Sequence, residues 1–268
     1  MRYYTEYGGG LGDIFNQIYR WGTYPMLECI APEDHVDITF ICHNPAIGEL
    51  LQWHSKRSQF TIYTPGYCQP REIAEFKKQH QLPTCKPNLP MIPADVTDIH
   101  FFSNPEEADT LSAAMSEPYV VFAPSAGMQN RNIPDALLDP VQLGVLHNTP
   151  LRIVHVGKNY GRDYRVEPPV MQHDRVLDMV DKLSIPATAK LVEGSAGVIT
   201  SHSALNILAW HLRKPQLLLY PQSVVDRHRM GPNPDEWMFG IEFPETTHCL
   251  FDQYTEQHVQ RFVEKLNG

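Results

Sequence analysis

Ser201, His202 and Ser203 stand between a β-branched apolar run at 197–200 and an apolar helical pattern at 204–213. They lie within LVEGSAGVITSHSALNILAWHLRKPQLLLYP, which spans 191–221. Two hydroxyls and an imidazole at the start of a helix suit an anion such as a diphosphate. The first N–H groups of a helix lack intrahelical partners, and the macrodipole adds partial positive charge there. The plainer alternative is a serine N-cap without a ligand, which is commoner across proteins. A second turn with chemical content lies near the start of the chain, Gly8-Gly9-Gly10-Leu11-Gly12-Asp13. Its glycines permit positive φ and close backbone approach, and Asp13 stands where it could cap the helix that follows. The turn does not satisfy G-x-G-x-x-G, and it lacks the lysine and hydroxyl residue of a P-loop.

The elements that must position these residues alternate strand and helix, the pattern of an α/β protein with mostly parallel sheets. Residues 191–221 read as one βαβ unit. In the first half, strands are expected at 2–7, 36–42, 60–63 and 99–102, with helices over 46–53 and 71–79. Ile14, Phe15, Ile18 and Tyr19 place an apolar stripe on a helix after the glycine turn. Prolines at 83, 87, 90 and 93 make 81–93 an extended surface connection. A second series opens at 119–123 and continues through 151–157 into the βαβ unit, so a domain division is expected near Glu117 and Pro118. The domains would be 1–117 and 118–268, with a ligand cleft at the carboxyl ends of their strands. A final helix, 255–266, is expected to return to the first half, and Asp226-Arg227-His228-Arg229 reads as a polar loop.

Composition narrows the function classes. A chain of 268 residues can form one large domain or two of roughly 100 to 150 residues. A hydrophobic fraction of 42% with 20% charged residues is that of a soluble globular protein. The net charge of −9 argues against broad electrostatic binding to nucleic acid or an anionic membrane. Cys29, Cys42, Cys68, Cys85 and Cys249 are odd in number and show no C-x-x-C spacing, which fits a reducing compartment without a disulfide framework or zinc knuckle. No apolar stretch is long enough to span a bilayer and the N-terminus lacks a secretory h-region, so a cytoplasmic location is expected. There is no D-x-D pair, no H-E-x-x-H and no G-x-S-x-G elbow.

Taken in order, GGLGD, HVDITFICHNPAIGELLQWH, YVVFAPSAGMQNRNIP, LRIVHVGKN and GVITSHSALNILAWHLRKPQLLLYP resemble the heptosyltransferase-like glycosyltransferases, glycosyltransferase family 9. The resemblance covers most of the chain, with the acceptor half shortened between Tyr67 and Asp98. It implies a GT-B fold, two Rossmann-like domains facing across a cleft. It also implies sugar transfer from a nucleotide-diphosphate donor to a glycan or other hydroxyl acceptor, with inversion, without a metal and without a cofactor beyond the nucleotide sugar. By the same resemblance, Gly9, Gly10 and Gly12 form the acceptor-side loop and Asp13 is the catalytic base. A carboxylate there could take the proton of the attacking hydroxyl. The family's phosphate-holding basic residue falls on Arg131, whose guanidinium fork suits a phosphate. Ser125 and Gly127 precede it after a strand, and Gly157 and Lys158 close the next strand in a similar position. The family's aspartate, hydroxyl, glycine and later histidine at the diphosphate helix are replaced by Ser201, His202, Ser203 and Asn206. Backbone cradling of phosphate tolerates these changes because it depends on helix geometry.

Two other readings remain open at the level of sequence. One is a nucleotide-sugar epimerase or hydrolase on the same scaffold, using the donor site without an acceptor. The other is a catalytically inactive carbohydrate or nucleotide binder, because fold does not fix function.

Overall fold

The computed structural model describes residues 2–7, 33, 36–42, 49–50, 52–53, 57–63, 75, 78–79, 101, 103–127, 129–157, 167–229 and 244–268. The residues group into two compact units, 1–104 and 105–268. In the first unit, β1 (Arg2–Tyr7), β2 (Val36–Cys42) and β3 (Phe60–Tyr63) form a parallel sheet in the order β1-β2-β3. The register pairs Tyr4 with Thr39 and Ile38 with Ile62. These three strands occupy the positions the sequence indicates. Phe101 is buried, and the rest of the strand expected over 99–102 lies outside the described residues. The turn 9–13 lies outside the described residues.

The second unit opens with α1 (Ala108–Ala114) and β4 (Tyr119–Ala123), followed by α2 (Asp135–Asn148), β5 (Arg152–His155) and β6 (Val176–Asp178). Then come α3 (Ile185–Gly194), β7 (Gly197–Ser201), α4 (Ala204–His211), β8 (Gln216–Tyr220), α5 (Gln222–Arg229), β9 (Thr246–Leu250) and α6 (Glu256–Leu266). The six strands are parallel, in the order β6-β5-β4-β7-β8-β9. Every residue of β4, β7 and β8 is buried, as befits strands covered on both faces.

One face of this sheet presents Val120, Phe122, Ile153, Ile199, Leu217 and Leu219 to α2 and α6. Helix α2 answers with Leu138, Val141, Val145 and Leu146, spaced as one helical stripe, and α6 with Val259, Phe262 and Val263. The last helix therefore packs on the second unit, where the sequence reading had it returning to the first. Its amphipathic face shows that it must be covered but not by what. Gly197 lets α6 approach, since a Cβ there would meet Leu266 Cδ2 at 2.5 Å and the Pro215 carbonyl oxygen at 2.9 Å. Asp226-Arg227-His228-Arg229 belongs to α5 and is not a loop. Within that helix Gln222 Nε2 donates to Asp226 Oδ1 at 3.0 Å, an i,i+4 pair that mere adjacency in sequence hides.

The division between units falls before α1. Glu107 explains why, because its carboxylate accepts from both the backbone N–H and the hydroxyl of Ser184, each at 2.6 Å, at the N-cap of α3. That clamp, with Leu111 and Ala114 buried, ties α1 to the second sheet.

Candidate functional site

Strands β4 and β7 are neighbours, yet the chain visits β5 and β6 between them. The connections therefore leave in opposite directions, and the carboxyl ends of these two strands are the place where open α/β sheets take their ligands. The loop after β4 and the start of α4 are thus brought together by topology alone.

Thr200 fastens the floor of this place. Its hydroxyl oxygen lies 3.1 Å from the Ala123 carbonyl oxygen on β4 and 3.1 Å from Ser203 Oγ. Ser203 is the N-cap of α4: its Oγ accepts from Leu205 N–H at 3.3 Å, and its own N–H donates to Asn206 Oδ1 at 3.0 Å. The side chains of Ser203 and Asn206 thus build a capping box, with asparagine where glutamate or glutamine is usual. For these two residues the N-cap reading holds at the side-chain level. Ser201, fully buried, and Ser125, 6% exposed, differ: their hydroxyls find no hydrogen-bond partner among the described residues.

The loop after β4 folds back on itself. Asn132 Oδ1 accepts from the Ala126 N–H at 2.9 Å, and the Ile133 N–H donates to the Pro124 carbonyl at 2.9 Å. Between these anchors a 3-10 turn, Gln129–Arg131, presents Arg131 toward α4, where Nη1 lies 3.3 Å from His202 Nδ1. Asn132 is a positioning residue that sequence reasoning passed over. Its signal was an asparagine six residues after a loop alanine, which is too generic to single out. Gly127 is exposed, and a Cβ there would meet nothing within 4 Å.

At the end of the neighbouring strand, Gly157 accommodates Glu167, for a Cβ at 157 would collide with the buried Glu167 carboxylate. Sequence reasoning missed Glu167 because it lies well beyond the strand and only the fold brings it back. His155, at the carboxyl end of β5, is fully buried with its ring edge-on to Phe122, the centroids 5.1 Å apart. Burial lowers its pKa to about 4, against the opposing pull of Asp178, so the ring is neutral at physiological pH. Of the residues singled out in the sequence, Ser125, Gly127, Arg131, Ser201, His202, Ser203 and Asn206 belong to the segments flanking the β4–β7 switch point, and Gly157 lies two residues past the end of the adjacent strand β5. Gly9, Gly10, Gly12, Asp13 and Lys158 lie outside the described residues.

With this geometry in hand, solved structures supply the fold's relatives. The ADP-heptose lps heptosyltransferase II of E. coli superposes with a TM-score of 0.63 at 11% identity, covering 99% of this chain and 98% of that one. The glycosyl transferase family 9 protein from Veillonella parvula DSM 2008 gives 0.63 at 12% identity, with 99% and 96% covered. The fold is GT-B-like. E. coli heptosyltransferase WaaC with ADP-2-deoxy-2-fluoro heptose gives 0.55 at 12% identity, with both chains fully covered. No protein-family model and no curated protein sequence matches the chain. Among the described residues, no helix is long and apolar enough to cross a membrane.

Proposed function

We propose that this chain is a glycosyltransferase that moves a sugar from a nucleotide-diphosphate donor to an acceptor hydroxyl, with inversion and without a metal or further cofactor. The observation that carries the reading is the β4–β7 switch point. There Arg131, the N-terminus of α4 and the hydroxyls of Ser125 and Ser201 offer a cation and hydrogen-bond donors to a diphosphate. Glu167 beside Gly157 stands at the end of the strand next to β4, where Rossmann-type domains hold a ribose hydroxyl. Gly127 and Lys158 would complete the donor-side loops. Full-length likeness in fold to the ADP-heptose lps heptosyltransferase II and to the heptosyltransferase WaaC with ADP-2-deoxy-2-fluoro heptose supports the same donor class.

In this mechanism Asp13, on the Gly9-Gly10-Leu11-Gly12 loop, takes the proton of the acceptor hydroxyl. The acceptor oxygen attacks the anomeric carbon from the face opposite the diphosphate. The bond from that carbon to the phosphate oxygen breaks with its electron pair going to the diphosphate, so the configuration inverts. Arg131 and the helix N-terminus stabilise the charge that develops on the departing group. We place the reaction in the cytoplasm, with a glycan or other hydroxyl-bearing molecule as acceptor.

The test pairs two substitutions. Arg131→Ala weakens calorimetric affinity for the nucleotide sugar by about 10-fold to 150-fold, the range for a hydrogen bond to a charged group. Asp13→Asn lowers turnover by about 100-fold or more with donor affinity nearly unchanged. Release of nucleotide with no acceptor product would indicate the hydrolase, and donor binding without turnover in the parent the inactive binder.

A further inference from the structure

Arg131 and His202 form a pair whose protonation is fixed by chemistry. A guanidinium has N–H donors and no acceptor. Arg131 Nη1 lies 3.3 Å from His202 Nδ1. The ring nitrogen must therefore receive the hydrogen bond through its lone pair, which leaves the single proton of the neutral imidazole on Nε2. A doubly protonated ring would aim Nδ1–H at the guanidinium and set two positive charges side by side.

Neither side chain is a loosely solvated surface group. Both are half-buried. Arg131 stands on a turn closed by the Asn132 to Ala126 and Ile133 to Pro124 hydrogen bonds, with a third from the Asn132 N–H to the Gln129 carbonyl at 3.0 Å. His202 is held between Ser201, fully buried at the end of β7, and Ser203, the N-cap of α4. The buried hydroxyls of Ser201 and Ser125, which have no partner among the described residues, lie at the carboxyl ends of the same two strands.

We infer that Arg131 is a positioning residue that fixes His202 as the neutral Nε2–H tautomer, so that His202 serves as an uncharged hydrogen-bond donor to the diphosphate of the substrate. This rests on the donor-site reading above and adds to it a second role for Arg131 and a defined state for His202. The positive charge at the site then comes from Arg131 and the helix, while the imidazole contributes direction without charge.

Nitrogen NMR of histidine-labelled protein at neutral pH reads the tautomer directly, with His202→Gln identifying the resonance by its loss. The expected spectrum has Nδ1 bare and Nε2 protonated, and Arg131→Met populates the Nδ1–H form. A protonated Nδ1 in the parent, or an unchanged tautomer in Arg131→Met, overturns the assignment. Calorimetric titration with inorganic pyrophosphate tests the donor role, because glutamine can place an N–H where Nε2 stands, whereas asparagine, one methylene shorter, brings its amide only to the position of Nδ1. His202→Gln retains affinity within about 3-fold, and His202→Asn loses about 10-fold or more. Equal loss in both, or the reverse order, overturns the donor role. A parent that binds neither pyrophosphate nor ADP defeats the donor-site reading itself, while the tautomer is still judged by the spectrum.

Discussion

Gly127 is a glycine whose neighbours do not require it. A Cβ there would meet nothing within 4 Å, so the fold should accept a methyl group. If the backbone of this loop approaches a diphosphate closely, as glycines permit, the methyl group would obstruct the ligand instead. Gly127→Ala should therefore melt within about 0.5 kcal/mol of the parent and yet bind ADP several-fold more weakly. A variant that binds as the parent does removes Gly127 from the site. His155 carries a different prediction. Its pKa is about 4 in the folded chain against 6.5 unfolded, so between those values the unfolded state takes up a proton that the folded state refuses. Stability is accordingly intact above pH 6.5 and falls as the pH drops toward 4, by roughly 3 kcal/mol. His248, also lowered to about 4 by burial and then by Lys265, acts in the same direction. In His155→Leu the acid side of the stability profile should be shallower by close to one proton, and a slope equal to the parent's would rule this out. At this scale the sequence singled out Arg131, Ser201 and His202 by residue type, and the fold groups them at the β4–β7 switch point. It was silent on Asn132 and Glu167, whose contacts arise from the chain folding back.

Helix α4 ends in a Schellman motif without glycine. The Arg213 N–H donates to the Trp210 carbonyl at 3.0 Å and the Lys214 N–H to the Ala209 carbonyl at 2.9 Å, with Arg213 at φ 54°. A left-handed backbone costs a residue bearing a Cβ about 1 to 2 kcal/mol, and glycine escapes that cost. Comparing Arg213→Gly with Arg213→Ala isolates the backbone effect, since both remove the side chain. Glycine should come out more stable by about 1 kcal/mol in chemical denaturation. An alanine variant of equal stability would show that the turn carries no such strain. The helix was legible from its apolar pattern, but its end was placed at 213 and lies at His211. Strands 2–7, 36–42, 60–63 and 119–123 were read at their observed positions because each is a compact run rich in β-branched or aromatic residues. Strands β6 and β9 were not read. One is three residues long and the other includes His248, and both sit at sheet edges where the apolar run that marks a central strand is not required.

At the scale of the molecule, alternation of strand and helix was enough to indicate α/β architecture, but not which segment belongs to which sheet. Membership is decided by contacts distant in sequence. The segment 105–117 was expected to close the first domain, and the structure groups it with the second unit. Glu107 accepts two hydrogen bonds from Ser184, Leu111 and Ala114 are buried, and a Cβ on Gly194 would meet Met115 Cε at 2.5 Å and Tyr119 Oη at 2.8 Å. None of these pairings has a local signature. They lead to a prediction about autonomy. The second unit has its own six-stranded sheet and a continuous core, so a fragment 105–268 should fold cooperatively. A fragment 118–268, cut at the boundary the sequence suggests, loses the Glu107 clamp and leaves the faces of α3 that α1 covers open to water. Two charge-assisted hydrogen bonds and a buried leucine together make it less stable by about 3 kcal/mol or more. Urea denaturation of the two fragments side by side decides the matter: equal midpoints would mean that α1 is an ornament on the second unit, and a lower midpoint for 118–268 would make it part of the fold that holds the β4–β7 site.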